Sequence, residues 1–207
     1  VTGAEGRHPL RHGASAEIAA VAARLVVEEG MEYGPAKRKA ARALGLEGRR
    51  GAPLPDNNEL ESAVAAYIEV FCADTQPAEL AALRRVALGW MDRLAAFRPH
   101  LAGAVWRGTA TRLSRIHLQL YCDDSKSAEL ALIDQRIDYD VGSITGPRGQ
   151  TVDVLRVATR SAELGETVEV HLTVLDHDDL RGALRRDASD RAERGDAAAL
   201  RSLMEAR

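Results

Sequence analysis

Residues 101–124 read LAGAVWRGTATRLSRIHLQLYCDD. Two apolar stretches, Leu101–Val105 and Ile116–Tyr121, bracket a segment punctuated by Gly103 and Gly108. Both stretches have the composition of strands, and the glycines between them mark turns. This is where the chain changes period from helical to extended.

Downstream, residues 128–136 predict a helix that leads to a further strand at Ile137–Ile144. Gly146, Pro147 and Gly149 mark a turn. Residues 152–158 and 168–175 alternate as strands do when one side faces a core. Asp196 is placed to cap a last helix carrying Leu200, Leu203 and Met204.

Upstream the spacing is helical. Ile18, Val21, Ala22, Leu25 and Val26 share one face, with Ser15 as the expected cap and Gly30 as the stop. Pro35 opens a second helix through Leu44, and residues 47–58 are a loop. Leu60, Val64, Tyr67, Ile68 and Phe71 form an apolar stripe. Leu80, Leu83, Ala87, Trp90, Met91 and Leu94 form another, ending at Phe97-Arg98-Pro99 because a residue before proline disfavours helix. The expected class is α+β: a mixed sheet with flanking helices, preceded by an all-helical segment. The expected divisions are a disordered N-terminus over 1–14, a helical segment over 15–98 and an α/β domain over 99–207.

The 207 residues suffice for a substantial core, built from Ala, Leu and Val because aromatics are only 4%. A net charge of -3 argues against bulk electrostatic binding to nucleic acid while leaving room for a local basic patch. Cys72 and Cys122 have neither metal-ligand nor disulfide-framework spacing. No apolar run approaches the roughly 20 residues that span a bilayer, and residues 1–13 lack a signal-peptide pattern. A cytoplasmic protein with free thiols, not associated with membrane, is expected.

The 101–124 stretch resembles the entry motif of the DNA polymerase β-like nucleotidyltransferase superfamily: a strand, Gly-Ser, a short turn with a second glycine, then Ser-Asp-x-Asp on the next strand. Gly103-Ala104 stands at the Gly-Ser place, Gly108 at the second glycine, and Ser114-Arg115-Ile116-His117 at Ser-Asp-x-Asp. From Ile18 onward the chain is also similar to a proteobacterial nucleotidyltransferase-like family, through AKRKAA at 36–41, LPDN at 54–57 and the GTA…S.I.LQL core. In such a motif the first glycine lets backbone approach a triphosphate. Two carboxylates one residue apart on a strand point the same way and hold Mg²⁺, and a third on a neighbouring strand completes a two-metal site.

The resemblance breaks at the residues that carry the chemistry. Arg115 cannot ligate Mg²⁺, His117 suits softer metals better, and Ala104 lacks a hydroxyl. The resemblance therefore implies a retained nucleotidyltransferase-like fold, degraded metal chemistry and no required cofactor. The implied ligand is a nucleotide or another phosphorylated molecule held by Gly103, Ala104, Arg107, Gly108, Ser114 and Arg115. Arg115 and Arg107 suit phosphate oxygens; the plainer alternative is a surface arginine paired with a carboxylate such as Asp123.

An active enzyme with a non-standard Mg²⁺ site needs carboxylates from Asp123, Asp124, Asp153 and Glu169 to converge. Asp123, Asp124 or Ser125 equally suits the cap of the next helix. His117 and His171 are a weak transition-metal alternative to two ordinary strand histidines. The His177, Asp178, Asp179 cluster reads as a solvated turn or helix start. A third possibility is a non-catalytic interaction module, meeting protein or RNA through Lys37, Arg38, Lys39 and Arg42; the plainer reading of that helix is a solvated face.

Overall fold

The computed structural model describes residues 9–48, 53–180 and 192–206. The chain divides into two compact units, Val1–Gln76 and Pro77–Arg207.

Three helices build the first unit: α1 (Pro9–Glu29), α2 (Tyr33–Ala43) and α3 (Asn57–Phe71). Their core joins Ile18, Ala22 and Leu25 of α1 with Ala36 and Ala40 of α2 and Leu60, Val64 and Ile68 of α3. Alanine at these positions lets α2 approach α1 closely. Gly30 and Gly45, at φ 64 and 65, end α1 and α2 in the left-handed conformation that glycine tolerates best. A capping box starts α3: the Asp56 carboxylate accepts from the Glu59 amide at 2.8 Å, and Glu59 accepts from the Asp56 amide at 3.0 Å.

Two expectations change here. Residues 9–14 are helical, while 1–8 lie outside the described residues. Ser15 therefore sits inside α1 rather than at its cap, and its hydroxyl donates to Glu59 Oε2 at 3.0 Å. Phe71 stands 67% exposed at the end of the α3 stripe.

The second unit holds α4 (Gln76–Arg93), β1 (His100–Ala102), α5 (Gly103–Arg107), β2 (Ile116–Cys122) and α6 (Ser127–Asp134). It continues through β3 (Asp140–Thr145), β4 (Thr151–Arg160), β5 (Thr167–Asp176), β6 (Arg194–Gly195) and α7 (Ala197–Glu205). The sheet order is β3-β4-β5-β2-β1-β6; β2 and β5 pair in parallel and the other pairs are antiparallel. The protein is α+β, with a mixed sheet after a helical segment.

One face of this sheet is the core. Ile116, Leu118 and Leu120 of β2 and Val170, Leu172 and Val174 of β5 join Leu83, Ala87 and Met91 of α4, Leu132 of α6 and Leu200 of α7 in one buried cluster. Each fully buried Leu or Val contributes about 1.5–3 kcal/mol. The α4 stripe thus belongs to the sheet's core, so the expected 15–98 segment runs across the division between the units. Asp196 caps α7 by accepting from the Ala199 amide at 2.8 Å. Among the described residues no helix is long and apolar enough to cross a membrane.

Candidate functional site on the open face of the sheet

The expected strand over Leu101–Val105 stops at Ala102. Gly103 takes φ 71 and turns the chain into the one-and-a-half-turn helix α5, which closes at Gly108 with φ 96. A Cβ on Gly103 would lie 3.4 Å from His117 Cδ2, so the turn rests on that side chain. Amides of Gly108 and Thr109 both donate to the Ala104 carbonyl, at 2.8 and 3.0 Å. Ser114 accepts from the Thr111 amide at 3.0 Å, which commits its hydroxyl to the turn. Ala104 is half-buried, and Arg107 is exposed in the last turn of α5.

Arg84 holds this turn from below and was not singled out by the sequence reading. It is 3% exposed and donates to the carbonyls of Val105 and Trp106, both at 3.1 Å. A cation there satisfies carbonyls that the end of α5 leaves open. The sequence does carry a signal: Arg84 falls four residues after Leu80 and three before Ala87, on the apolar stripe itself.

Sheet register places the motif positions together. His117 is the direct partner of His171, which is also the partner of Arg156; Ala102 faces His117 from the other side. Residues paired across a sheet share a face, and this row is on the face opposite the helix-packed core. The His117 and His171 rings meet edge to face, with centroids 5.2 Å apart. Arg115 Nε donates to Glu169 Oε2 at 2.7 Å, and His171 Nε2 donates to the same oxygen at 3.2 Å.

Electrostatics follow from these contacts. Burial pushes the Glu169 carboxyl up, but hydrogen bonds from Arg115 and His171 more than offset it and leave it below the usual carboxylate range. Burial and then the neighbouring His117 hold His171 below the ordinary histidine value, against the opposing pull of Glu169. The row therefore brings together the Arg115 guanidinium, the His117 and His171 rings and one carboxylate already engaged by two donors. The plainer alternative for Arg115, a surface arginine paired with a carboxylate such as Asp123, finds a carboxylate in Glu169 instead.

The four candidate carboxylates do not converge. Asp123 and Asp124 follow the C-terminal end of β2, while Glu169 stands beside its N-terminal end, roughly 23 Å away along the strand. Asp153 pairs with Ser143 and lies on the helix-covered side, two residues before Leu155 on the same strand face, so it is on the opposite face from Glu169. Asp123 and Asp153 do line a common cavity of about 560 Å³ with Asp176 and Arg148, and Lys126 Nζ lies 3.8 Å from Asp153. Asp124 accepts from the Lys126 amide at 3.0 Å just before α6. Among the described residues, no three His, Cys, Asp or Glu side chains gather as a metal-ligand set.

The basic helix α2 is engaged within its own unit. Lys37 donates to the Pro55 carbonyl and to Asn57, Lys39 pairs with Glu29 at 2.6 Å, and Arg42 pairs with Glu47 at 3.0 Å. Arg38 is exposed. His177 and Asp178 form a turn after β5 that leads into a helical turn at Asp179, where the Leu180 amide donates to the His177 carbonyl; the Asp179 side chain is paired with Arg148 and buried rather than solvated. No family model, no curated protein and no solved structure matches the chain.

Proposed function

We propose that the protein is a nucleotidyltransferase-fold protein that binds a nucleotide or another phosphorylated ligand on the open face of its sheet and does so without metal. The observation that carries this is the row Arg115–Glu169 beside His117–His171. The side chains in this row are mainly donors, and the lone carboxylate is neutralised by Arg115. Donors that converge on one face suit the acceptor oxygens of a phosphate. A guanidinium has five N–H donors in a fixed fork, of which Nε is given to Glu169, so Arg115 is held in place at the site. The Gly103–Gly108 turn, fixed by Arg84, closes one side of the row.

Two-metal nucleotidyl transfer is the less supported reading. It needs carboxylates that hold ions about 3.5–4 Å apart, and the candidates are spread over both faces and both ends of the sheet. Recruitment of RNA or protein through α2 is also less supported, because Lys37, Lys39 and Arg42 are held by acceptors of their own unit.

The test is isothermal titration with nucleoside triphosphates, in EDTA and again with Mg²⁺. Binding of equal strength in the two buffers is expected. Arg115→Ala is expected to weaken it tenfold or more, since a charge-assisted hydrogen bond contributes about 1.5–3 kcal/mol. Binding that appears only with Mg²⁺ would restore the enzymatic reading. No binding under either condition would leave the fold as a scaffold.

A further inference from the structure

The sheet ends at β3, which pairs with β4 on one side only. Among the described residues, no backbone hydrogen bond reaches its other side. Natural proteins protect such an edge with Pro, Lys, a bulge or a covering segment. β3 reads DVGSIT, without Pro or Lys, and its pairing with β4 continues from Asp140 to Thr145 without a bulge. Its one charge is Asp140.

Each face beside this edge leaves side chains unmatched. On the open face, Arg156 of β4 stands directly across from Asp140. The Arg156 side chain runs diagonally instead and lies over Gly142, where an added Cβ would be 3.7 Å from its Cζ. Its guanidinium therefore sits above the outermost strand. Among the described residues, neither Arg156 nor Asp140 makes a side-chain hydrogen bond or ion pair, and both are exposed. On the helix-covered face, Val141 is 53% exposed, as is Ile133 of α6, and Leu130 of α6 is 55% exposed. Glu129, on the same side of α6 as Ile133, accepts from the hydroxyl of Tyr139 at 2.9 Å, two residues before Val141. The three apolar side chains therefore stand beside the same edge.

We infer that two copies of the chain pair through β3, antiparallel and edge to edge, about a two-fold axis at Val141. A two-fold normal to the sheet keeps each face on its own side, so residues that meet across it are an even number apart. With Val141 opposite its own copy, Asp140 of each chain falls opposite Gly142 of the other, their strands about 5 Å apart. Asp140 then lies beside the guanidinium that spans that glycine, and symmetry makes this ion pair twice. Centred on Asp140, the axis would set the two carboxylates against each other. Centred on Gly142, it would do the same to the two guanidiniums. On the other face, Val141, Ile133 and Leu130 of both copies approach across the axis and leave water. A chain that supplies both the cation and the anion is matched by its own copy better than by an unrelated peptide. This contact does not depend on the phosphate site.

The experiment is sedimentation velocity of the full chain over a range of concentrations. It is repeated with Val141→Arg, with Arg156→Asp, and with Asp140→Arg and Arg156→Asp together. All three positions are exposed, so the variants are expected to fold; circular dichroism checks them. The native chain is expected to sediment as a dimer. Val141→Arg brings two cations together at the axis and is expected to leave a monomer. Arg156→Asp sets carboxylate against carboxylate and is expected to weaken the dimer at least tenfold, and the double exchange is expected to restore it. A native chain that stays monomeric throughout would overturn the inference and leave the edge to an extended segment of another protein. A dimer that survives Val141→Arg would also overturn it, because the contact would then lie elsewhere. A double exchange that restores nothing would overturn the register about Val141.

Discussion

Around His117 the two faces of the sheet are made by the same strands, yet they carry opposite chemistry; further along, Tyr121, Val152 and Leu175 bury a small apolar cluster on the same face as His117. On β2, Ile116, Leu118 and Leu120 are fully buried against helices, while His117 and Gln119 between them are half-buried and polar. On β5, Val170, Leu172 and Val174 alternate with the exposed Glu169, the half-buried His171 and the buried Thr173. The period of two does this without any further device. One set of residues supplies stability, and its neighbours are free to be chosen for ligand chemistry. Sites built this way inherit the rigidity of the core beneath them.

The largest expected effect follows from crossing that boundary. Leu118→Ala removes a fully buried side chain and is expected to cost about 2–5 kcal/mol in urea denaturation. The adjacent His117→Ala, half-buried and packed on His171, is expected to cost about 1 kcal/mol, clearly less than its neighbour. Equal losses would mean that the open face is as structural as the covered one.

Gly103→Ala comes next. Its φ of 71 is strained for alanine, while the new methyl would meet His117 at ordinary contact distance, so a loss of about 1–2 kcal/mol from the backbone is expected together with weaker nucleotide binding. Asp56→Ala, in the other unit, is expected to cost about 1 kcal/mol through the lost capping box and to leave nucleotide binding unchanged. A binding change in that variant would break the assignment of the site to the sheet.

The smallest effect is in pH. The folded-state pKa of His171 is depressed, so the unfolded chain binds more protons just below pH 6.5. The contribution of His171 is therefore fully present above pH 6.5 and is lost as pH falls toward its lower folded value. Glu169 acts in a separate and more acidic window: its depressed pKa adds stability above the ordinary carboxylate range that is lost as pH falls through the folded value. Chemical denaturation from pH 7.5 to 5 should show the histidine slope, and His171→Gln should flatten it.

Much of this was legible in the sequence. Alternation announced β4 and β5, helical stripes announced α3 and α4, and Asp196 announced α7. What periodicity cannot give is the partner of a face. The α4 stripe was clear, yet its contact with the sheet was not, so the unit boundary was expected near residue 98 rather than 76. Short elements also escaped: β6 has two residues and α5 has five, too few for a period to register. In the site, the pairing of His117 with His171 was within reach, since both read as strand residues. The Arg115–Glu169 ion pair depended on register.

The parallel pairing of β2 with β5 also dictates an order of assembly. Strands β3, β4 and β5 can pair as successive antiparallel neighbours across short turns, whereas Ile116 must meet Val170 over a loop of about fifty residues. Long-range pairings of this kind form slowly. Until β2 arrives, the apolar edge of β5 stands open, ready to accept any extended segment that reaches it first. The strand that carries His117 is thus also the one that covers the β5 edge, and a chain caught before that step would be prone to join with its own copies.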